Sequence, residues 1–299
     1  MRKISESDIK GLNISSADCV RWVDDALRIK RKSLLPPKTS IHQDGHKFFN
    51  VMPCVIPDKN IAGVKVVTRY PEREPSLKSH ILFYDNSDGN LKALIDADFI
   101  TTQRTAAVAV HSVGLLAKKD YRSIAFIGLG TIGQATLKMY IETLNGKMVQ
   151  IRLFNYKNRA ENIVSMYKSV KNVSFSVFDS YEKMIDDCDV IVSAVTFAEQ
   201  DFCDENLYKK GCLLVPIHTL GFQQCDLTFD KIFGDDYEHI KNFKYFNRFK
   251  SFNEVSDVLI GKCPGRDNNE QRIIAYNIGI ALHDIFFASE IYSRLSNQA

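Results

Sequence analysis

The segment Ser123 to Leu137 (SIAFIGLGTIGQATL) carries glycines at 128, 130 and 133. An apolar, strand-like run precedes them and a helix-like run follows, and this context makes a G-x-G-x-x-G pattern informative. Gly128 permits a tight turn. Gly130 lets the backbone come close to an anion, and Gly133 lets the following helix pack on the strand. Beginning at Thr131 and Ile132, that helix would offer unpaired N–H groups and the positive end of its dipole to phosphate oxygens. The chemistry implied is the grip of a Rossmann domain on the pyrophosphate of a nicotinamide dinucleotide; a glycine-rich structural turn is the alternative. The end of the next strand selects between cofactors. An acidic residue about 20 positions on would bind the 2′-hydroxyl of NAD. Here Asn155 stands in that place, with Lys157 and Arg159 just behind it. Loss of the carboxylate beside two cations favours the 2′-phosphate of NADP, with NAD as the alternative. Val195, at the end of a later apolar strand, completes the expected cofactor contacts.

A second group consists of cations embedded in apolar segments. Lys65 lies between Val64 and Val66 in a strand-like run, and Arg104 interrupts the small-residue stretch Thr101 to Ala107. Lys38 follows the pair Pro36-Pro37. A buried unpaired charge is costly, so each needs an anionic partner. That partner is either an internal carboxylate or a bound anion.

Other chemistries find little support. The chain has 39 basic and 36 acidic residues, a net charge of +3, and no basic field suited to nucleic acid. Neither HExxH nor any metal-ligand spacing is present, so no metal is expected. Seven cysteines, none in a CxxC pair, cannot all pair within one chain. Reduced thiols in the cytoplasm fit best. No apolar run approaches the ~20 residues of a membrane span, and no secretory leader is expected.

These residues need elements to position them. Ser16 reads as an N-cap for a helix through Leu27, which ends before Pro36-Pro37. From Phe48 to Asp96 the pattern is that of a hairpin-rich sheet, with Ala62–Tyr70, Ile81–Tyr84 and Leu91–Ile95 as strands and an Asp-Gly turn at Asn86–Asn90. Phe99–Ala117 is helical. Strands 124–127, 149–154, 173–177 and 190–195 then alternate with helices 132–143, 160–169 and 181–185, and 213–217 is a further strand. Such alternation implies a parallel sheet covered by helices. Glu270–Arg294 reads as one long helix. The fold class is therefore α/β, with a Rossmann-type domain at 118–265. It is inserted into an α+β domain made of 1–117 and 266–299.

The order of short motifs carries a further inference. PPK, then Met52-Pro53, GVKVV, a D-GN hairpin, TTQRTAA and the glycine turn resemble the ornithine cyclodeaminase/mu-crystallin family. The resemblance extends to Asp189–Thr196 (DVIVSAVT) and to Gly279–Asp284. It implies a Rossmann domain inserted into a substrate-binding and dimerisation domain, in a homodimer. It implies Arg104 as the substrate-carboxylate arginine, Lys65 as an active-site lysine, and Lys38 at a position commonly held by a further arginine. Cyclodeaminases carry a catalytic aspartate after a strand where this chain has His218; Asp226 is close but out of register. His218 is then either a proton donor and acceptor or a structural histidine. Three functions follow: an NAD(P)H-dependent reductase or dehydrogenase of imino or amino acids, a redox-neutral cyclodeaminase, or an NADPH-dependent binding protein without turnover.

Overall fold

The computed structural model describes residues 1–195 and 197–298. Thr196, the end of the DVIVSAVT motif, and Ala299 lie outside the described residues. The chain divides into two compact units, one of Met1–Arg104 with Gly279–Ala299 and the other of Thr105–Ile278. Residues 105–117 and 266–278 thus group with the second unit, whereas the expected boundaries assign them to the first.

The first unit is built on a six-stranded sheet. Its strands are β1 (Arg2–Ile4), β2 (Thr39–Gln43), β3 (Lys47–Ile56), β4 (Ile61–Arg69), β5 (Leu77–Asp85) and β6 (Leu91–Asp96). They lie in the order β1-β6-β5-β4-β3-β2. Only β1 pairs in parallel, with β6; the rest form antiparallel hairpins. The alternation in β4 assigns its faces. Ile61, Gly63, Lys65 and Val67 are buried, and the residues between them are half-exposed. The C-terminal helix Ala281–Asn297 covers the buried face, crossing β3, β4 and β5, and packs on the helix Ser16–Arg28. Trp22 and Phe287 meet edge to face there at 5.0 Å. The cap of the Ser16–Arg28 helix is Ser15, one residue before the expected Ser16. Its side chain accepts from the Asp18 amide, and Asp18 accepts the Ser15 amide in return. A serine with a carboxylate three residues on satisfies two amides, which decides the start.

Gly63 sets how closely the C-terminal helix approaches. A Cβ there would lie 2.6 Å from Ile285 Cδ1 and 3.0 Å from the Leu82 carbonyl oxygen. A larger residue there would force the Ile285 side chain to shift and crowd the Leu82 carbonyl.

The second unit holds an eight-stranded, all-parallel sheet. Its strands are β7 (Ser123–Ile127), β8 (Val149–Phe154), β9 (Val173–Phe178), β10 (Val190–Ser193), β11 (Leu213–Pro216), β12 (Lys231–Gly234), β13 (Phe252–Glu254) and β14 (Ile273–Tyr276). The order is β13-β12-β14-β11-β10-β7-β8-β9. The chain winds outward in both directions from β7 and β10, which makes their carboxyl ends the switch point where doubly wound sheets bind ligands. Side chains from four adjacent strands (Ile127, Ile191, Leu214 and Ile274) join Met184, Ile185, Phe222 and Phe229 in one core.

One expected element is wrong. The span 270–294 is not a single helix: it divides into β14, a break at Asn277–Ile280, and the C-terminal helix. Gly279 in the break has φ +84°. Among the described residues, no helix is long and apolar enough to cross a membrane, and no cluster of side chains could hold a metal ion.

Candidate active site

Two of the embedded cations of the first unit, Lys65 and Arg104, converge on one carboxylate. Lys65 projects from the buried face of β4, and its Nζ donates to Asp284 Oδ1 at 2.8 Å. Arg104, from the helix Asp98–Leu116, donates Nε to the same oxygen at 2.9 Å. Lys65 and Asp284 are fully buried, and the Arg104 side chain retains 9% exposure. Lys38, half-buried ahead of β2, lies close enough for its charge to act on Lys65. The internal carboxylate that a buried cation demands is therefore present. It does not balance the charge: Lys65 and Arg104 share a single carboxylate, and Asp284 Oδ2 has no hydrogen-bond partner. A surplus positive charge on a buried cluster favours an incoming anion.

The electrostatics follow from this arrangement. Burial, and then the Arg104 charge, lowers the Lys65 ammonium to about 8 despite the pull of Asp284. Burial alone would raise Asp284, but Arg104 and Lys65 more than offset it and hold the carboxyl below its usual range. Gly279 completes the frame. A Cβ at its positive φ would sit 2.6 Å from Arg104 Nη1, so the guanidinium lies directly against the backbone. Asp284 is the residue that the sequence analysis does not assign. Its signal is the same one that marks Lys65: a charge in an apolar run, here Ala281–Ala288.

The second unit forms the dinucleotide turn at the ends of β7 and β10. Gly128 has φ +86°, and a Cβ there would lie 2.8 Å from the Ala194 and Val195 backbone. A Cβ on Gly133 would lie 1.9 Å from the Gly128 carbonyl oxygen, so helix and turn touch. Gly130 differs, since a Cβ there meets nothing within 4 Å. It is the N-cap of the helix Thr131–Glu142, and no side chain caps that helix. Open space thus stands before the amide donors of a 12-residue helix. Gly130, Thr131, Gln134, Arg159, Asn162 and Met166 line a cavity of about 340 Å³. Asn155 follows β8, and its buried Oδ1 lacks a hydrogen-bond partner. Lys157, with φ +54°, places its ammonium 5.1 Å from the Tyr156 ring centre. The close turn and the open helix end together fit a bound dinucleotide. Half-buried Val195 packs beside Gly128 against the core of this unit. Ile132 lies in the first turn of the helix.

His218 also belongs to the second unit, just beyond β11. Its Nε2 lies 2.7 Å from the Oγ of fully buried Ser193 at the end of β10. Burial lowers the imidazole to about 4, against a hydrogen bond to the Leu220 backbone that favours the charged form. The ring is therefore neutral near pH 7, with Nε2 and the Ser193 hydroxyl sharing a hydrogen bond. Asp226 faces elsewhere: it accepts from the Tyr276 hydroxyl at 2.7 Å, and burial raises it to about 7.

Comparison with known proteins agrees with this architecture. The chain is 26% identical to the nodulation efficiency protein NfeD of Rhizobium meliloti, over 98% of this chain and 94% of that protein. It is 22% identical to the Delta(1)-pyrroline-2-carboxylate reductase of Colwellia psychrerythraea, covering 85% of this chain and 86% of the relative. Among solved structures, the Thermococcus litoralis Delta(1)-pyrroline-2-carboxylate reductase, in complex with NADH and L-proline, superposes with a TM-score of 0.86. It is 23% identical, with 100% of this chain and 98% of that one covered. The family model for ornithine cyclodeaminase/mu-crystallin proteins matches residues 4–299, and the chain belongs to that family.

Proposed function

We propose that this protein is an NAD(P)H-dependent oxidoreductase that reduces the C=N bond of a small imino acid. The observation that carries this reading is the surplus positive charge at Lys65, Arg104 and Asp284, in a chain that also holds a dinucleotide turn. Arg104 and Lys38 receive the substrate carboxylate; the planar guanidinium suits two parallel hydrogen bonds, and the Lys38 ammonium acts as a point charge. When bound, the nicotinamide supplies hydride. Lys65 holds a proton at Nζ for the imine nitrogen, because an ammonium with a lowered pKa is an effective acid near neutral pH. Positioning and charge complementarity supply most of the remaining rate.

The proton step is assigned to Lys65 and not to His218. The neutral His218 ring is engaged by Ser193 and the Leu220 backbone, and it is a far weaker acid near neutrality than the Lys65 ammonium. That neutral histidine also provides no charge for a substrate side-chain amine, so net reduction is favoured over redox-neutral cyclisation. For the cofactor we favour NADP over NAD. Asn155 brings no negative charge to the ribose, and Arg159 lines the cavity beside the phosphate turn. The seven free thiols suit a reducing cytoplasm. A homodimer is supported by the outer face of the first sheet, where Val51, Pro53, Val55, Val64, Val66 and Leu82 are half-exposed.

The test is oxidation of NADPH and NADH with cyclic ketimine carboxylates, or with 2-oxo acids plus ammonia or amines. The wild type turns over at least one of these. Arg104→Ala raises KM for it by about tenfold or more, as loss of a charge-assisted pair implies. Unchanged kinetics in that variant would remove Arg104 from the substrate site.

A further inference from the structure

We propose that Asp284 is a positioning residue, which locks the Lys65 ammonium and the Arg104 guanidinium to one oxygen and so fixes proton donor and anion fork as a single unit. The proposal rests on the imino acid reading for what the unit does, but its geometry stands independently.

The reasons are structural. Both donors reach the same atom, Oδ1, at 2.8 and 2.9 Å, from elements far apart in sequence. Any movement of that oxygen therefore moves the anchor of both cations. The approach that permits this is built into the backbone. Gly63 lies on the same face of β4 as Lys65, two residues before it, and contacts Ile285, the neighbour of Asp284. Gly279, five residues before Asp284, backs the Arg104 guanidinium. One short stretch, Gly279–Ile285, therefore positions both cations.

The charged and titratable groups around Lys65 come from every packed element. Arg104 comes from the helix Asp98–Leu116, Lys38 from the segment before β2, and Asp284 from the C-terminal helix. Cys54 on β3 also feels Asp284, and its thiol is pushed up to about 12, chiefly by burial. Its neutral thiol adds no charge near pH 7. Of these neighbours, Asp284 alone favours the charged form of Lys65, while Arg104 and Lys38 oppose it. As a positioning residue Asp284 must also set when Lys65 gives up its proton.

The experiment is an NMR titration of ¹⁵Nζ-labelled lysine in the full-length protein, with the Lys65 signal assigned through Lys65→Arg. It is repeated in Asp284→Asn and Arg104→Gln. Asp284→Asn lowers the Lys65 titration by about one pH unit or more, and Arg104→Gln raises it. A Lys65 signal unmoved in both variants, or moved in the same direction in both, would overturn the proposal. If Asp284→Asn does not fold, Asp284→Glu is titrated in its place: a moved Lys65 titration with the charge kept supports positioning through the shared oxygen, and an unmoved one refutes it. Opposite shifts with no turnover of any imine would retain Asp284 in this role and reject the reductase reading instead.

Discussion

At the scale of single residues, the proposed reaction depends on the protonation of Lys65. In that reaction its ammonium form is the acid for imine reduction, and burial with Arg104 lowers it to about 8. The sign follows: reduction holds steady below that pH and declines as the proton is lost above it. A pH profile of kcat/KM checks this, and a profile still rising beyond pH 9 would contradict it. Lys65→Met should lower kcat about 10²–10⁴-fold, the usual contribution of a positioned acid, with dinucleotide affinity unchanged by fluorescence titration. Lys65 and Arg104 were legible in the sequence as charges needing a partner, because each sits inside an apolar run. The partner was not. Asp284 stands 219 positions from Lys65, and nothing local to either residue encodes their meeting. The contact of His218 was equally hidden. Its pairing with Ser193 depends on β10 and β11 being neighbours in the sheet.

At the scale of elements, the glycine turn makes a prediction that separates folding from binding. Gly130 meets open space, and its φ of −77° suits any residue. Gly130→Ala should therefore keep its thermal stability while losing dinucleotide affinity about tenfold or more, since the methyl group fills the phosphate's approach. Gly133→Ala instead drives a methyl group into the Gly128 carbonyl. It should lose both affinity and about 1–3 kcal/mol of stability, the usual cost of overpacking. Equal stability of the two variants in thermal unfolding would refute the distinction. The turn and its flanking elements were readable because strand, glycines and helix agree locally. The span 270–294 was not. Ile273–Tyr276 is a short apolar run, and periodicity alone does not tell such a buried strand from part of a helix. Its identity is set by β11 and β12 on either side. The short β12 and β13 escaped notice for the same reason. Their pairing partners, not their own four and three residues, make them strands.

At the scale of the whole molecule, the chain combines a charge-surplus carboxylate site in one unit with a dinucleotide turn in the other. The α/β architecture was legible because helix and strand periods alternate over the middle of the chain. The unit boundaries at Arg104 and Gly279 were not, because they fall where a continuous helix and a short strand break give no change in composition. The half-exposed apolar face of the first sheet predicts a homodimer, with twice the chain mass by sedimentation. A Val64→Glu/Leu82→Glu variant should weaken that association by about a hundredfold or more, since a carboxylate taken into an apolar interface costs several kcal/mol; a monomeric wild type would contradict the proposal. The central claim is net hydride transfer to an imino acid, and isotope transfer tests it most directly. The protein is given nicotinamide cofactor deuterated at the transferable C4 position, together with a cyclic ketimine carboxylate, and the amino acid product is analysed by mass spectrometry. The account predicts one deuterium at the α-carbon for each cofactor oxidised. Product formed without net cofactor oxidation, or cofactor bound with no product from any imine, would contradict it.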